Sequence, residues 1–179
     1  MNRHGFEQAF AQALDEARRS GRPLTLIIVD VDHFKRYNDT LGHRTGDRAL
    51  KLVAAAVARH ARHPREVAAR FGGDEFAMIL PATDAADASR IAAALVEEIR
   101  GLSLRAPNGS VAITASLGVH SATATALTSE RAFFESADAA LYRVKRDGRD
   151  GYALSDAPPE HHTHASGTLP HSDPPTAAQ

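Results

Sequence analysis

The sequence predicts an α+β fold, in which helices pack against one mainly antiparallel β-sheet. Segments with apolar residues at helical spacing alternate with short apolar runs, in the order helix, strand, helix, hairpin, helix, strand, helix, short strand. Two of the apolar runs are joined by a glycine pair, which favours an antiparallel hairpin. Elements in this order are typical of a sheet whose helices cover its faces.

The composition sets bounds on the class of protein. The chain has 179 residues, enough for one domain with a substantial core. Its net charge is −1 without a block of Lys and Arg, so we expect no nucleic-acid duplex as a partner. It contains no cysteine, which excludes disulfides and thiolate metal sites, and its histidines lack metal-ligand spacing. We find no membrane segment and no signal-peptide pattern, and therefore expect a cytoplasmic protein.

The first two elements are a helix and a buried strand. Residues 3–19 carry one apolar stripe at spacings of four, four and three, which predicts a helix that Gly21 ends. Residues 24–29 form an unbroken apolar run with β-branched side chains, which predicts a central strand covered on both faces. Asp30 and Asp32 follow, and strand alternation would place both on one face.

A polar stretch follows this strand. Residues 33–47 are interrupted by Gly42 and Gly46, and we predict a loop rather than a core element. A long polar loop after a buried strand is a common place for ligand contacts, although a plain connector has the same pattern. A second helix is predicted from Asp47 to about Ala61, where apolar residues recur at helical spacing among alanines.

The predicted hairpin carries the first chemical signal. Apolar runs at 67–71 and 76–80 flank the glycine pair 72–73, whose positive φ angles would suit a two-residue turn. A phosphate can approach such a turn closely, but Asp74 and Glu75 would repel it unless a cation lay between. The arrangement suggests a divalent metal that holds a polyphosphate. An exposed hairpin with acidic residues for solubility has the same sequence.

The segment after the hairpin contains a helix and a strand. Thr83 or Asp84 can cap a third helix. The Pro-Asn-Gly sequence at 107–109 predicts a turn. Residues 111–120 are rich in strand formers, with Gly118 as a possible bulge.

The last predicted helix begins after Ser129, with an inward stripe that includes Phe134, and ends at Gly148. Lys145 and Arg149, four residues apart, can reach one side, where they also complement the helix dipole. A short strand is predicted at 151–154. We predict one folded domain at 1–154 and a disordered tail rich in Pro, His and Ser at 155–179.

Four separate segments resemble the GGDEF-domain diguanylate cyclases. Residues 72–76, Gly-Gly-Asp-Glu-Phe, match the signature that names this family. Residues 30–39 and 42–47 are similar to its first strand and the segment after it, and residues 137–149 to its last helix. The resemblance extends from about Asn2 to Leu154, essentially the whole predicted domain.

The resemblance implies a fold like the palm of nucleotidyl cyclases and polymerases. The implied activity is the condensation of two GTP into cyclic di-GMP with release of two pyrophosphates, across a homodimer of facing half-sites. By position, Asp30, Asp74 and the Val31 carbonyl resemble the ligands of two Mg²⁺ or Mn²⁺ ions per active site. Asp30, Asp74 and Glu75 are the candidate catalytic residues, and Glu75 resembles the second acid of the signature.

The resemblance also implies the residues that bind GTP. Asn38 and Asp47 resemble the readers of guanine, whose edge an amide and a carboxylate can match. The phosphate contacts correspond to two backbone amides, a glycine and two cations: Phe34, Lys35, Gly73, Lys145 and Arg149.

The chain departs from the family pattern at the inhibitory site. Many members carry Arg-x-x-Asp before the signature, and the matching positions here are His63 and Glu66. Arg62 and Arg65 are nearby but out of register. Since a neutral histidine cannot pair bidentately with phosphate or guanine, we expect weak or absent product inhibition.

Two further differences concern the ends of the domain. Family members usually carry a sensory or dimerising domain before the first helix, and this sequence could be a fragment, a trimmed piece or a stand-alone protein. Asp150 lies where the family more often has asparagine. A catalytically silent module that binds GTP or cyclic di-GMP is the alternative function, but the retention of Asp30, Asp74 and Glu75 favours an active cyclase.

Overall fold

The structure, a computed structural model, describes residues 3–106, 112–125 and 129–155. The predicted turn at 107–109 and the predicted tail after residue 155 lie outside these ranges. The helices are α1 (Arg3–Ser20), α2 (Phe34–Leu41), α3 (His43–His60), α4 (Ala85–Gly101) and α5 (Glu130–Arg146). The strands are β1 (Pro23–Val31), β2 (Val67–Arg70), β3 (Glu75–Pro81), β4 (Ala115–Thr123) and β5 (Gly151–Leu154).

The strands form one sheet in the order β2-β3-β1-β4-β5. β1 lies at its centre and pairs antiparallel with both β3 and β4, and β4 pairs parallel with β5. This confirms the predicted mainly antiparallel α+β sheet and the central position of the first strand. None of the helices described is long and apolar enough to cross a membrane.

Helices cover both faces of the sheet, as the two-faced burial of β1 requires. Leu24 and Leu26 of β1 pack with α1 and α5 in one core, whereas Ile27 and Val29 pack with α3 and α4 in the other. Full burial of such side chains stabilises the fold by roughly 1.5–3 kcal/mol each. On α5, Phe133 is fully buried, and Phe134, the residue predicted for the inward stripe, is only partly buried.

The predicted helix ends are largely confirmed. The Asp84 carboxylate accepts a hydrogen bond from the Asp87 amide at 2.9 Å, so Asp84 rather than Thr83 caps α4. The Ser129 hydroxyl accepts from the Ala132 amide at 3.1 Å at the start of α5. Gly148 follows α5 with φ +119°, which agrees with its predicted role as a helix stop.

The predicted loop at 33–47 is wrong, because this stretch forms α2 and the first turn of α3. Tyr37 of α2 is buried in the core with residues of α3, and a single buried aromatic side chain in a polar stretch does not show as an apolar pattern. Gly42, at φ +80°, separates the two helices, and its amide donates to the Asn38 carbonyl at 2.7 Å.

The predicted two-residue turn of the hairpin is also wrong. Neither Gly72 nor Gly73 has a positive φ. The last ladder pair joins Arg70 to Phe76, and the amides of Phe71 and Gly72 both donate to the Glu75 carbonyl at 2.8 and 3.2 Å. The strands are therefore joined by a wider loop than the glycine pair alone would form.

Gly118 is not a bulge, because it pairs in register with Ile28 and Ala153. At Gly118 the backbone of α5 lies very close to the sheet. A Cβ at this position would lie 2.0 Å from the Ala137 carbonyl oxygen and 2.5 Å from the Leu141 amide nitrogen, both backbone atoms of α5. The missing side chain thus sets the distance between β4 and α5.

We expect Gly118→Ala to lower the free energy of unfolding by about 3 kcal/mol, since backbone atoms of a helix cannot move aside as a side chain can. Gly101→Ala is the matched control, because a Cβ there meets nothing within 4 Å at the end of α4. That variant should be as stable as the wild type or slightly more stable. Urea unfolding measures both, and equal stabilities of the two variants would contradict the close approach.

Candidate active site

The antiparallel pairing of β1 and β3 brings the two candidate metal-binding carboxylates together. Asp30, near the end of β1, lies directly opposite Glu75, the first residue of β3. The Val31 amide donates to the Asp74 carbonyl at 3.1 Å, so the two chains continue side by side past this pair. Backbone hydrogen bonds therefore fix the positions of Asp30, Val31 and Asp74 relative to one another.

Asp30 lies in a strongly charged environment. Its side chain is 16% exposed, and the Lys145 ammonium lies 2.8 Å from its Oδ2 atom. Burial raises the pKa of Asp30 above its ordinary value, and the negative charges of Asp74 and Asp32 raise it further against the effect of Lys145. The site concentrates negative charge, and a cationic group already binds to it.

The chemistry of these donors fits a hard divalent cation. Two carboxylates and a backbone carbonyl are the oxygen ligands that Mg²⁺ and Mn²⁺ prefer. Among the described residues, no three His, Asp or Glu side chains converge as a complete metal cluster. Mg²⁺ commonly binds through one or two protein carboxylates and takes its other ligands from water and substrate phosphates.

Glu75 is exposed and lies beside a cavity of about 220 Å³, whose walls include Ile28, Phe71 and Phe134. Because directly opposite residues of a ladder share a face, Glu75 and Asp30 lie on the same side of the sheet. Its carboxylate also closes over the signature loop, since a Cβ on Gly72 would lie 2.8 Å from its Oε2 atom.

The signature loop is stabilised by an arginine whose role the sequence did not reveal. The Arg70 Nε atom donates to the carbonyls of Gly72 and Gly73 at 3.2 and 3.0 Å. Gly73 itself is exposed, and a Cβ there would meet nothing within 4 Å. The space above Gly73 is therefore open to a ligand.

Asn38 lies in an unusual environment for a polar side chain. Its Oδ1 atom is buried and has no hydrogen-bond partner. Gly46 of α3 provides the space for it, because a Cβ there would lie 1.7 Å from that atom. Asp47 follows Gly46 on α3 and is exposed, so the two candidate guanine readers lie at the contact between α2 and α3.

The start of α2 presents the two candidate backbone donors. His33 precedes the helix with φ +55° and forms no side-chain cap hydrogen bond. The first residues of α2, Phe34 and Lys35, therefore lie at a helix N-terminus without a side-chain cap. The first amides of an α-helix have no partner within the helix and favour an anion.

The two candidate phosphate-binding cations differ in their present contacts. Lys145, on the last turn of α5, forms the ion pair with Asp30. Arg149 lies exposed in the turn after α5 with φ +66°, and its amide donates to the Val144 carbonyl at 2.9 Å. The sequence placed both on one side of the helix end, but it did not reveal the contact with Asp30.

The candidate inhibitory positions form a compact turn before β2. A carboxylate oxygen of Glu66 accepts a hydrogen bond from the His63 amide at 2.8 Å, and the Glu66 amide donates to the His63 carbonyl at 2.8 Å. Arg62 and Glu66 also line a groove of about 460 Å³ together with Asp87 and Arg90 of α4. The Glu66 carboxylate thus stabilises its own turn.

The sequence did not identify the partners of Asp32. This side chain is 1% exposed and accepts hydrogen bonds from the hydroxyls of Thr114 and Ser116, both at 2.7 Å, and from the Asp150 amide at 3.1 Å. The alternation of Asp30 and Asp32, and of Thr114 and Ser116, is the signal that could have indicated a shared polar layer.

The family model described as "Diguanylate cyclase, GGDEF domain" matches residues 1–151. Diguanylate cyclase DgcP of Pseudomonas aeruginosa is 37% identical over 152 residues, which cover 83% of this chain and 22% of that protein. Probable diguanylate cyclase DgcC of Escherichia coli K12 is 38% identical over 83% of this chain and 39% of its own length. The chain thus spans less than half the length of these curated relatives.

Solved structures show the same relationship. The crystal structure of the GGDEF domain of DgcB from Caulobacter crescentus, in complex with c-di-GMP, is 36% identical, with a TM-score of 0.78. The match covers 86% of this chain and 90% of that one. Sequence signature, sheet order and structural match agree, and the chain belongs to the GGDEF-domain family of diguanylate cyclases.

Proposed function

We propose that this domain condenses two GTP molecules into cyclic di-GMP and releases two pyrophosphates. The observation that carries the proposal is that the backbones of Asp30 and Asp74 lie on neighbouring chains, close enough for the charge of Asp74 to raise the pKa of Asp30, and that Lys145 contacts Asp30. The printed names of the relatives and the retained signature support the same activity.

The acidic pair would hold the divalent cations. Asp30, Asp74 and the Val31 carbonyl would supply the ligands, and Mg²⁺ or Mn²⁺ held there would supply positive charge to offset that of the triphosphate and of the attacking oxygen. The ion pair with Lys145 indicates that Asp30 is placed to bind a cation. When the substrate and its counter-ions bind, Lys145 is already beside the site and can move from the carboxylate to a terminal phosphate.

The other residues orient the nucleotide. The exposed Asp47 carboxylate can accept hydrogen bonds from the guanine N1 and N2 donors, and the Asn38 amide lies against Gly46, the residue before Asp47. The phosphates can accept hydrogen bonds from the amides of Phe34 and Lys35, and the open space at Gly73 leaves room for them. Glu75, exposed beside Asp74, is the residue we propose to help deprotonate the 3′-hydroxyl.

The stoichiometry of the product requires two half-sites. One such site binds one GTP, and we propose that two domains face each other so that each 3′-oxygen attacks the α-phosphate held by the partner. Because the side chains offer little covalent chemistry, most of the rate enhancement comes from holding the two nucleotides together. A dimerising domain joined to this one would raise the effective concentration of the second site.

The first test is synthesis of cyclic di-GMP from GTP and Mg²⁺ by the purified protein and by Asp74→Asn. We expect the substitution to lower the rate a hundredfold or more, since a lost metal ligand removes several kcal/mol of charge stabilisation. Asp15→Asn, an exposed change on α1, is the matched control and should keep the wild-type rate. Full activity of Asp74→Asn would refute the proposed site.

In the same assay, a rate per monomer that stays constant on extreme dilution would refute the facing dimer.

A second test concerns the orphan acceptor of Asn38. We expect Asn38→Ala to raise KM for GTP about tenfold, which is 1.4 kcal/mol, while the free energy of unfolding is unchanged or raised. The reason is that an unpaired buried polar group costs roughly 1–3 kcal/mol in the free protein. Asp39→Ala, an exposed change on the same helix, should alter neither quantity. A large loss of stability without a change in KM would show that Asn38 has a structural role only.

A third test addresses product inhibition, which we propose to be weak because His63 and Glu66 replace the Arg-x-x-Asp pattern. Cyclic di-GMP added to the assay should lower the initial rate little. The double variant His63→Arg with Glu66→Asp restores the pattern and should become product-inhibited. Strong inhibition of the unaltered protein that Arg62→Ala abolishes would contradict the proposal.

A further inference from the structure

A buried carboxylate outside the proposed metal site joins three segments of the fold. Asp32 follows β1, and its Oδ1 atom accepts from the Ser116 hydroxyl of β4 at 2.7 Å. Its Oδ2 atom accepts from Thr114 at 2.7 Å and from the Asp150 amide, in the turn between α5 and β5, at 3.1 Å. A carboxylate this deeply buried is tolerated only when hydrogen bonds satisfy it.

The turn that Asp32 holds has an unfavourable backbone conformation. Gly148, Arg149 and Asp150 have φ angles of +119°, +66° and +50° in succession. A residue other than glycine in this region costs of the order of 1–3 kcal/mol and persists only where its surroundings enforce it. Two such residues side by side therefore require specific anchors.

Two anchors hold this turn from opposite sides. The inner anchor is the hydrogen bond from the Asp150 amide to Asp32. The outer anchor is Arg100 of α4, whose Nε atom lies 3.1 and 3.3 Å from the two carboxylate oxygens of Asp150. The outer anchor includes the side chain at position 150 and also a hydrogen bond from Arg100 to the Asp150 carbonyl at 3.3 Å, whereas the inner one depends only on the Asp150 amide.

The anchored turn carries Arg149, which is exposed and forms no ion pair with the described residues. The backbone conformation at 148–150 decides the direction in which this guanidinium leaves the turn. We propose that Asp32 is a positioning residue: together with Arg100 it holds the strained turn, so that Arg149 is preorganised for the terminal phosphates of the nucleotide. This inference rests on the proposed function.

The test compares two guanine nucleotides that differ in the phosphates Arg149 would contact. The probes are 3′-deoxy-GTP, which lacks the attacking hydroxyl, and GMP, which lacks the terminal phosphates. We expect Asp32→Ala to weaken binding of 3′-deoxy-GTP about tenfold, because a small misplacement of a positioning group has a large effect. Binding of GMP should change little. Asp32→Asn should restore binding, since its amide oxygen can still accept from the Asp150 amide.

Two further variants separate positioning from general destabilisation. Ser116→Ala removes the hydrogen bond to Oδ1 but leaves the Oδ2 contact with the turn. It should lower stability without changing the ratio of the two affinities. In an Arg149→Ala background, Asp32→Ala should have little further effect on 3′-deoxy-GTP, because the two residues act through one contact.

Equal losses for both nucleotides, or additive effects of Asp32→Ala and Arg149→Ala, would overturn the inference. If Asp32→Ala does not fold, Arg100→Gln on the exposed side of the turn gives the same comparison, and an unchanged affinity ratio there would equally overturn it. If the wild-type protein binds 3′-deoxy-GTP and the variants give these results, only the role of Asp32 is refuted. Wild-type protein that binds neither nucleotide refutes the proposed function and this inference together.

Discussion

The register of β1 against β3 is the constraint on which the site depends. Pairing of Asp30 with Glu75, and the bond from the Val31 amide to the Asp74 carbonyl, place acidic groups together by backbone geometry. The charge of Asp74 raises the pKa of Asp30, as like charges close to each other do. Backbone pairing in a sheet covered on both faces keeps these residues near one another.

The fold bears a cost for this arrangement. Burial and its acidic neighbours keep the pKa of Asp30 above its value in the unfolded chain, so ionisation of Asp30 is less favourable in the folded state. Its contribution to stability is therefore lost as pH rises from the unfolded pKa through the folded one. Lys145 reduces this cost, because its positive charge favours the ionised form of Asp30. A cation that binds beside Asp30 would reduce the same electrostatic cost and so stabilise the folded state.

Local patterns in the sequence predicted most of the helices and strands. The apolar run at 24–29 gave the central strand, and Asp84 and Ser129 gave two helix caps, because each signal lies within a few residues. The missed features depend on tertiary packing that a local pattern does not show. The burial of Tyr37 explains why part of the polar stretch at 33–47 is helical, and the close approach of α5 explains why residue 118 is a glycine. The resemblance named the candidate site residues, Lys145 among them, but did not reveal that Lys145 contacts Asp30.

The acidic and basic parts of the site are positioned by different means, and Asp32 connects them. The acids are placed by the β1–β3 ladder. The cations are placed by α5, whose distance from the sheet is set at Gly118 and whose last residues lead into the strained turn. Asp32 follows β1 directly and accepts the amide of that turn 118 residues later in the chain. One buried side chain therefore links the strand that carries the proposed metal ligands to the turn that carries Arg149.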